Sequence, residues 1–148
     1  MKRIKDIRGA FKKLFFPFQI YLGIFFRRDL IEIEKLLGTS FGSYKRNSRP
    51  FLFWFDNTQN IFLIFLTTSR ITIPIDLNNC QRKHIYCSNY YFLPESFLFL
   101  DQEGKPVIFR LPNLKLIENA YFCGSCENLK HLFSLNIEKT HERLYHHS

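Results

Sequence analysis

Several things are scarce in this chain. Alanine occurs only at Ala10 and Ala120, and methionine and tryptophan once each. With the strongest helix former nearly missing, propensity argues against a mostly helical protein. Six Gly and six Pro in 148 residues exclude collagen-like and linker-dominated chains. No apolar run reaches the roughly 20 residues that a membrane-spanning helix needs. The H-E-x-x-H and P-loop patterns are absent, which removes the ordinary zinc-protease and nucleoside-triphosphate readings. There is no internal repeat and no low-complexity block.

What is abundant is aromatic. The chain holds 18 Phe and seven Tyr, and aromatics make up 18% of it. Aromatic and β-branched residues fit a pleated, half-buried surface, so strands should dominate. An AT-rich genome would by itself enrich Phe, Ile, Asn and Lys. At 46% hydrophobic and 23% charged residues the composition is globular. The length suits one domain with a real core.

Net charge is +8, and its location matters more than its size. Residues 1–13 hold Lys2, Arg3, Lys5, Arg8, Lys12 and Lys13 against Asp6 alone, leaving fifteen cations against twelve acids in the rest. A basic arm points to an anionic partner, nucleic acid or a lipid surface. The competing reading is a solvated tail. An uncharged run follows from Leu14 to Phe26, closed by Arg27 and Arg28. It is too short to span a bilayer as a helix, Pro17 interrupts it, and no small-x-small cleavage site follows. No stable membrane span is therefore expected. A buried strand over 19–26 is preferred, with interfacial membrane attachment as the other reading.

Along the chain, Ile4, Ile7 and Phe11 recur at helical spacing, predicting a short amphipathic helix over 2–13. Residues 29–37 read as a helix with Leu30, Ile33, Leu36 and Leu37 on one face, Glu32 and Glu34 toward water, and Gly38 at the C-cap. Residues 38–50 read as an exposed basic loop. Two apolar runs, 51–55 and 61–66, flank a polar turn and predict a β-hairpin covered on both faces. Residues 71–77 read as an edge or bulged strand because of Pro74. Further strands are expected at 85–92, 94–100, 106–111 and 114–117. A closing helix is expected at 127–135, and then a frayed polar tail.

Cys80, Cys87, Cys123 and Cys126 include one C-x-x-C. Structural zinc needs two such knuckles, and the six residues between Cys80 and Cys87 are the wrong spacing. The preferred reading is reduced structural thiols in a cytoplasmic protein without cofactors. Zinc held by the four cysteines, with His84 as a further ligand, is the alternative. No βαβ pattern surrounds the C-x-x-C, so a thioredoxin-like role is weaker still. Spacing selects none of the five histidines as a general base.

One constellation carries more. The basic loop Gly42-Ser43-Tyr44-Lys45-Arg46-Asn47-Ser48 enters Arg49-Pro50, the apolar hairpin follows, and Thr67-Thr68-Ser69 ends its second strand. If the pair is a hairpin, its two ends meet, and Arg49 faces the hydroxyls. A forked guanidinium beside hydroxyls suits a phosphate. In the competing reading, Arg49 blunts a strand start and the threonines end a strand.

This segment resembles the MazF/PemK (Kid) family of mRNA interferases. Arg49-Pro50-Phe51-Leu52-Phe53-Trp54, the polar turn at 56–60, the strand 61–66 and Thr67-Thr68-Ser69 follow the family's order. Lys105–Leu111 and Leu114–Glu118 are similar to its later strand pair. The resemblance covers residues 38–135. It implies a compact half-open barrel, usually dimeric, that cleaves single-stranded RNA without metal through the ribose 2′-hydroxyl. Carried over residue by residue, Arg49 would stabilise the phosphorane, and Thr68 or Ser69 would position ribose or phosphate. Arg110 would contact phosphate or protonate the leaving oxygen. Lys45, Arg46 and Thr67 would bind RNA. A groove-covering antitoxin-like protein partner is implied by the same resemblance.

The chain also departs from the family. Its opening Gly-Asp-Ile-Val strand has no counterpart here except residues 20–26, and the acid that follows the second arginine falls on Pro112. The expected architecture is thus mainly β with flanking helices, a half-open barrel of the CcdB/PemK type with an added N-terminal helical arm. Residues 1–37 would form the arm, apolar segment and helix, 38–135 the barrel, and 136–148 the tail. The expected function is a toxin endoribonuclease of a toxin-antitoxin or defence system. The alternative is an inactive barrel of the same type that binds protein or nucleic acid.

Overall fold

In the computed structural model, the continuous apolar runs form adjacent strands of one bent sheet. The structure describes residues 2–7, 19–45, 47–55, 60–67, 74–77, 80–82, 95–100, 103–104, 106–111, 114–126 and 141–144. Its elements are β1 (Ile20–Phe26), α1 (Arg27–Leu37), β2 (Ser48–Phe55), β3 (Ile61–Thr67), β4 (Pro74–Asp76), β5 (Cys80–Arg82), β6 (Glu95–Leu98), β7 (Val107–Leu111), β8 (Tyr121–Cys126) and β9 (His141–Leu144). Single 3₁₀ turns lie at Ile4–Ile7 and Leu114–Ile117.

The strand path runs β4-β6-β3-β2-β1-β8-β5. β3 forks: Ile61–Ile64 pair with β7, while Leu66 and Thr67 pair with β6. All pairs are antiparallel except β7 with β9. Among the described residues β4 and β5 end the path without meeting, so the sheet is mainly β and open.

Side-chain alternation divides the core in two. One face gathers Phe25, Phe51, Phe53, Leu63, Phe65 and Phe109 under Leu30 and Ile33 of α1. The other gathers Leu22, Ile24, Leu52, Trp54, Ile64 and Leu66 under Ile75, Leu77 and Leu98. Both faces are covered, as the near-continuous apolar runs require. At Gly23, paired with Phe51, an added Cβ would lie 2.4 Å from the Phe51 ring. The bare glycine lets that ring lie across β1.

Expected elements that appear are β1, α1 with its Gly38 cap, the β2–β3 hairpin, the edge strand at Pro74, β6 and β7. Several expectations are corrected. Residues 2–7 are not an amphipathic helix but a docked segment. Ile4 and Lys5 donate their N–H groups to the Ala120 and Glu118 carbonyls, and Phe122 donates to the Lys2 carbonyl. Arg3 lies over the Tyr121 ring and pairs with Asp29 at 3.7 Å. Over these residues the basic arm is part of the fold, not a solvated tail. Residues 114–117 form a 3₁₀ turn rather than a strand, because β8 takes the place beside β1. Residues 141–144, expected in a frayed tail, form β9. Leu36 is 47% exposed, so the apolar stripe of α1 is narrower than its spacing suggests. The strand expected at 85–92, the helix at 127–135 and residues 8–18 lie outside the described residues.

The cysteine reading is also corrected. Cys80 and Cys126 face each other across β5 and β8, with Cα atoms 4.1 Å apart, and form a disulfide. Cys123 is disulfide-bonded as well. Reduced thiols are therefore not what this fold holds. Zinc needs thiolates, and the sulfurs of Cys80, Cys123 and Cys126 are spent on each other or on another cysteine. Cys87 lies outside the described residues. Among the described residues no group of three or more His, Cys, Asp or Glu is placed to hold a metal ion. No helix among them is long and apolar enough to cross a membrane.

Candidate anion cleft at Arg49

β2 begins at Ser48, opposite Phe26 of β1, and Arg49 follows in the second pairing, opposite Phe25. Extending the β2–β3 register, in which Phe51 meets Phe65, puts Arg49 opposite Thr67 on the same face. The two ends of the hairpin do meet. Arg49 Nη1 donates to the Leu66 carbonyl at 3.2 Å, and its Nε donates to the Phe41 carbonyl at 2.8 Å. Arg49 is only 9% exposed. A guanidinium keeps its charge in proteins, and a buried charge is tolerated only when its N–H groups are bonded. The two carbonyls meet part of that need.

The loop ahead of β2 folds over the guanidinium. The Phe41 ring stacks on Phe65 at 3.9 Å and meets Phe99 and Phe109 edge-on. Gly42 follows at φ +83°, where an added Cβ would lie 2.8 Å from Arg49 Nη2. Only glycine suits both the backbone and the space there. Beyond it, Tyr44 is 73% exposed, and Lys45 Nζ lies 5.4 Å from its ring centre. Ser40, Phe41, Gly42, Tyr44, Lys45, Arg49 and Phe99 line an open cleft of about 380 Å³.

Glu34 ties this loop to α1. Its Oε2 accepts from the Phe41 N–H at 2.6 Å and from the Ser43 N–H and Ser40 hydroxyl at 3.4 Å each. Its Oε1 accepts from the Ser43 hydroxyl. Partial burial pushes the carboxyl up. The bonds from the Ser43 hydroxyl, the Phe41 and Ser43 amides and the Ser40 hydroxyl outweigh it and hold the group below its ordinary value. The expectation that Glu34 faces water is thus corrected, because the loop's unpaired donors turn it inward.

Of the residues singled out from the sequence, Arg49 and Lys45 share this cleft, and Thr67 shares Arg49's strand face. Thr68, Ser69 and Arg46 lie outside the described residues. Arg110 is placed apart. It pairs with Phe62, toward the other end of β3, roughly 15 Å along the strand from Thr67. It also shares a face with Phe62 and Ile108, the face opposite Arg49. Strand parity therefore separates the two arginines. Sequence reasoning placed Tyr44 in the basic loop without a binding role of its own, and it missed Glu34 as part of the site. The one local signal was an aromatic next to a lysine in a polar loop.

Comparison with known protein families, with curated proteins and with solved structures finds no match.

Proposed function

We propose that this chain is a single-stranded RNA-binding module, with the Arg49 cleft as its binding site. The observation that carries it is one juxtaposition: a buried guanidinium at the cleft floor, with the Lys45 cation and the exposed Tyr44 ring on its rim. A backbone phosphate suits the cations, and an unstacked base suits the ring. Duplex RNA hides its bases and cannot use the ring. The mildly basic body adds long-range attraction. The resemblance to MazF/PemK barrels supports this ligand, and an antitoxin-like protein or a second copy of the chain that covers the cleft belongs to the same reading. So does a cytoplasmic setting, where the Cys80–Cys126 bond has to persist against a reducing thiol pool.

A second reading is metal-independent cleavage by 2′-hydroxyl attack, as in a toxin endoribonuclease. It is favoured by the shared face of Arg49 and Thr67, with Thr68 and Ser69 following. Against it stands the make-up of the cleft: among its described lining residues none is a His, Asp or Glu that could take the 2′ proton.

Binding of a labelled unstructured RNA and of the same sequence as a duplex, both in EDTA, tests the first reading. The single strand should bind more tightly, and Tyr44→Ala should cost roughly 5- to 150-fold, the worth of one stacked base. Equal affinity for both forms, or no loss in Tyr44→Ala, overturns it. A gel of the same RNA tests the second. Cuts by the parent protein that vanish in Arg49→Lys, which keeps the charge but loses the fork, would establish cleavage.

A further inference from the structure

We infer that Glu34 is the positioning residue of the Arg49 cleft: its carboxylate folds residues 40–43 so that the Phe41 carbonyl fixes the guanidinium. The inference rests on the binding reading above for its consequence, but not for its geometry.

Glu34 is rooted in a rigid element. It lies in the last turn of α1, whose Leu30 and Ile33 are fully buried. Its own carbonyl accepts from the Gly38 and Thr39 N–H groups, which closes the helix. The last turn of a helix is where the macrodipole favours cations and opposes a carboxylate. An acid there needs donors, and the loop supplies them from Phe41, Ser43 and Ser40. The bond to the Phe41 N–H is the pivotal one. The carbonyl of that same residue receives Arg49 Nε. A single residue therefore carries Glu34's pull on its N–H and Arg49's on its C=O.

The geometry makes the two opposite charges work in sequence, not as a pair. Glu34 does not line the cleft, so it acts on Arg49 through Phe41 and not by direct contact with a bound anion. Because the carboxyl is held below its ordinary value, the form that accepts all these bonds is present at neutral pH.

The test reads Arg49 directly. In ¹⁵N-labelled protein, hydrogen exchange of the Arg49 Nε–H is followed by NMR beside the amides of Phe53 and Leu63. In Glu34→Ala the Nε–H should exchange at least about tenfold faster, the loss of one bond to a charged group, with both core amides unchanged. Glu34→Gln should restore protection, since its amide oxygen still accepts from Phe41 and its NH₂ can donate to the Ser43 hydroxyl. If Glu34→Ala loses core protection throughout, Glu34→Asp takes its place: it keeps the charge but shortens the reach by one methylene. An Nε–H as protected as in the parent protein, in whichever of Glu34→Ala and Glu34→Asp keeps its core, overturns the inference. Faster exchange with a parallel loss of RNA affinity supports both readings. Faster exchange with unchanged RNA affinity upholds the role of Glu34 and overturns the RNA site.

Discussion

The Arg49 side chain is clamped by the backbone of Phe41, eight residues earlier, with Nε 2.8 Å from its carbonyl oxygen. The Phe41 ring on the other side of that carbonyl is buried against Phe65. Core packing therefore holds in place the loop that lines the cleft. A change in the ring should act on both stability and binding.

Phe41→Ala removes a fully buried ring from a packed aromatic cluster. It should cost about 3–5 kcal/mol of unfolding free energy. Urea titration of the variant against the parent protein measures it. A cost under ~1 kcal/mol would mean that the ring does not sit in the core.

Gly23→Ala should destabilise strongly, because its Cβ would meet the Phe51 ring at 2.4 Å. Overpacking of this kind costs about 1–3 kcal/mol. Thermal unfolding checks it. The double change with Phe51→Leu should recover part of the loss, since a smaller side chain frees the space.

The Glu34 carboxyl gives stability a pH dependence of known sign. Its folded value lies below its unfolded one. Its contribution is complete well above the ordinary glutamate value of about 4.3 and is lost as pH falls through the lower folded value. Urea midpoints measured from neutral pH downward should fall less steeply in Glu34→Gln than in the parent protein. Identical slopes would show that the carboxylate gains nothing from the loop.

The Cys80–Cys126 bond closes a loop of 46 residues. In the chain-entropy account such a link stabilises by about 4 kcal/mol. Unfolded, unreduced protein should take up no alkylating agent at Cys80, Cys123 or Cys126, as peptide mapping would show. Reduction should lower the denaturant midpoint. Alkylation of these cysteines without reductant would return the chain to the reduced-thiol reading.

The two arginines should separate in function as they do in space. Arg110→Ala should leave RNA affinity within about twofold, as expected of a charge remote from the bound phosphate. Lys45→Ala should weaken binding and lower the salt slope by about 0.7, one phosphate contact on a single strand. Equal losses in anisotropy titrations of both variants would mean that RNA reaches across both faces.

What was legible in the residues is what short-range physics settles. The apolar runs around the polar turn marked the β2–β3 hairpin, Pro74 marked an edge strand, and Gly38 marked the end of α1. Each signal acts within a few residues. The basic loop and the meeting of Arg49 with the end of β3 were readable for the same reason, because a hairpin returns the chain to its start.

Tertiary structure decided what depends on distant partners. β8 was hidden because Gly124 and Ser125 dilute its pattern, yet hydrogen bonds from β1 on one side and β5 on the other make it a central strand. That pairing, not spacing in the chain, joins Cys80 to Cys126. Glu34 looked like a solvated helix residue until the loop's donors were packed beside it. The faces taken by Arg49 and Arg110 follow from register across β2, β3 and β7, and a one-residue shift would reverse them. Composition and local pattern thus determined a β-rich chain with a basic loop, while non-local pairing determined which of its side chains share a cleft.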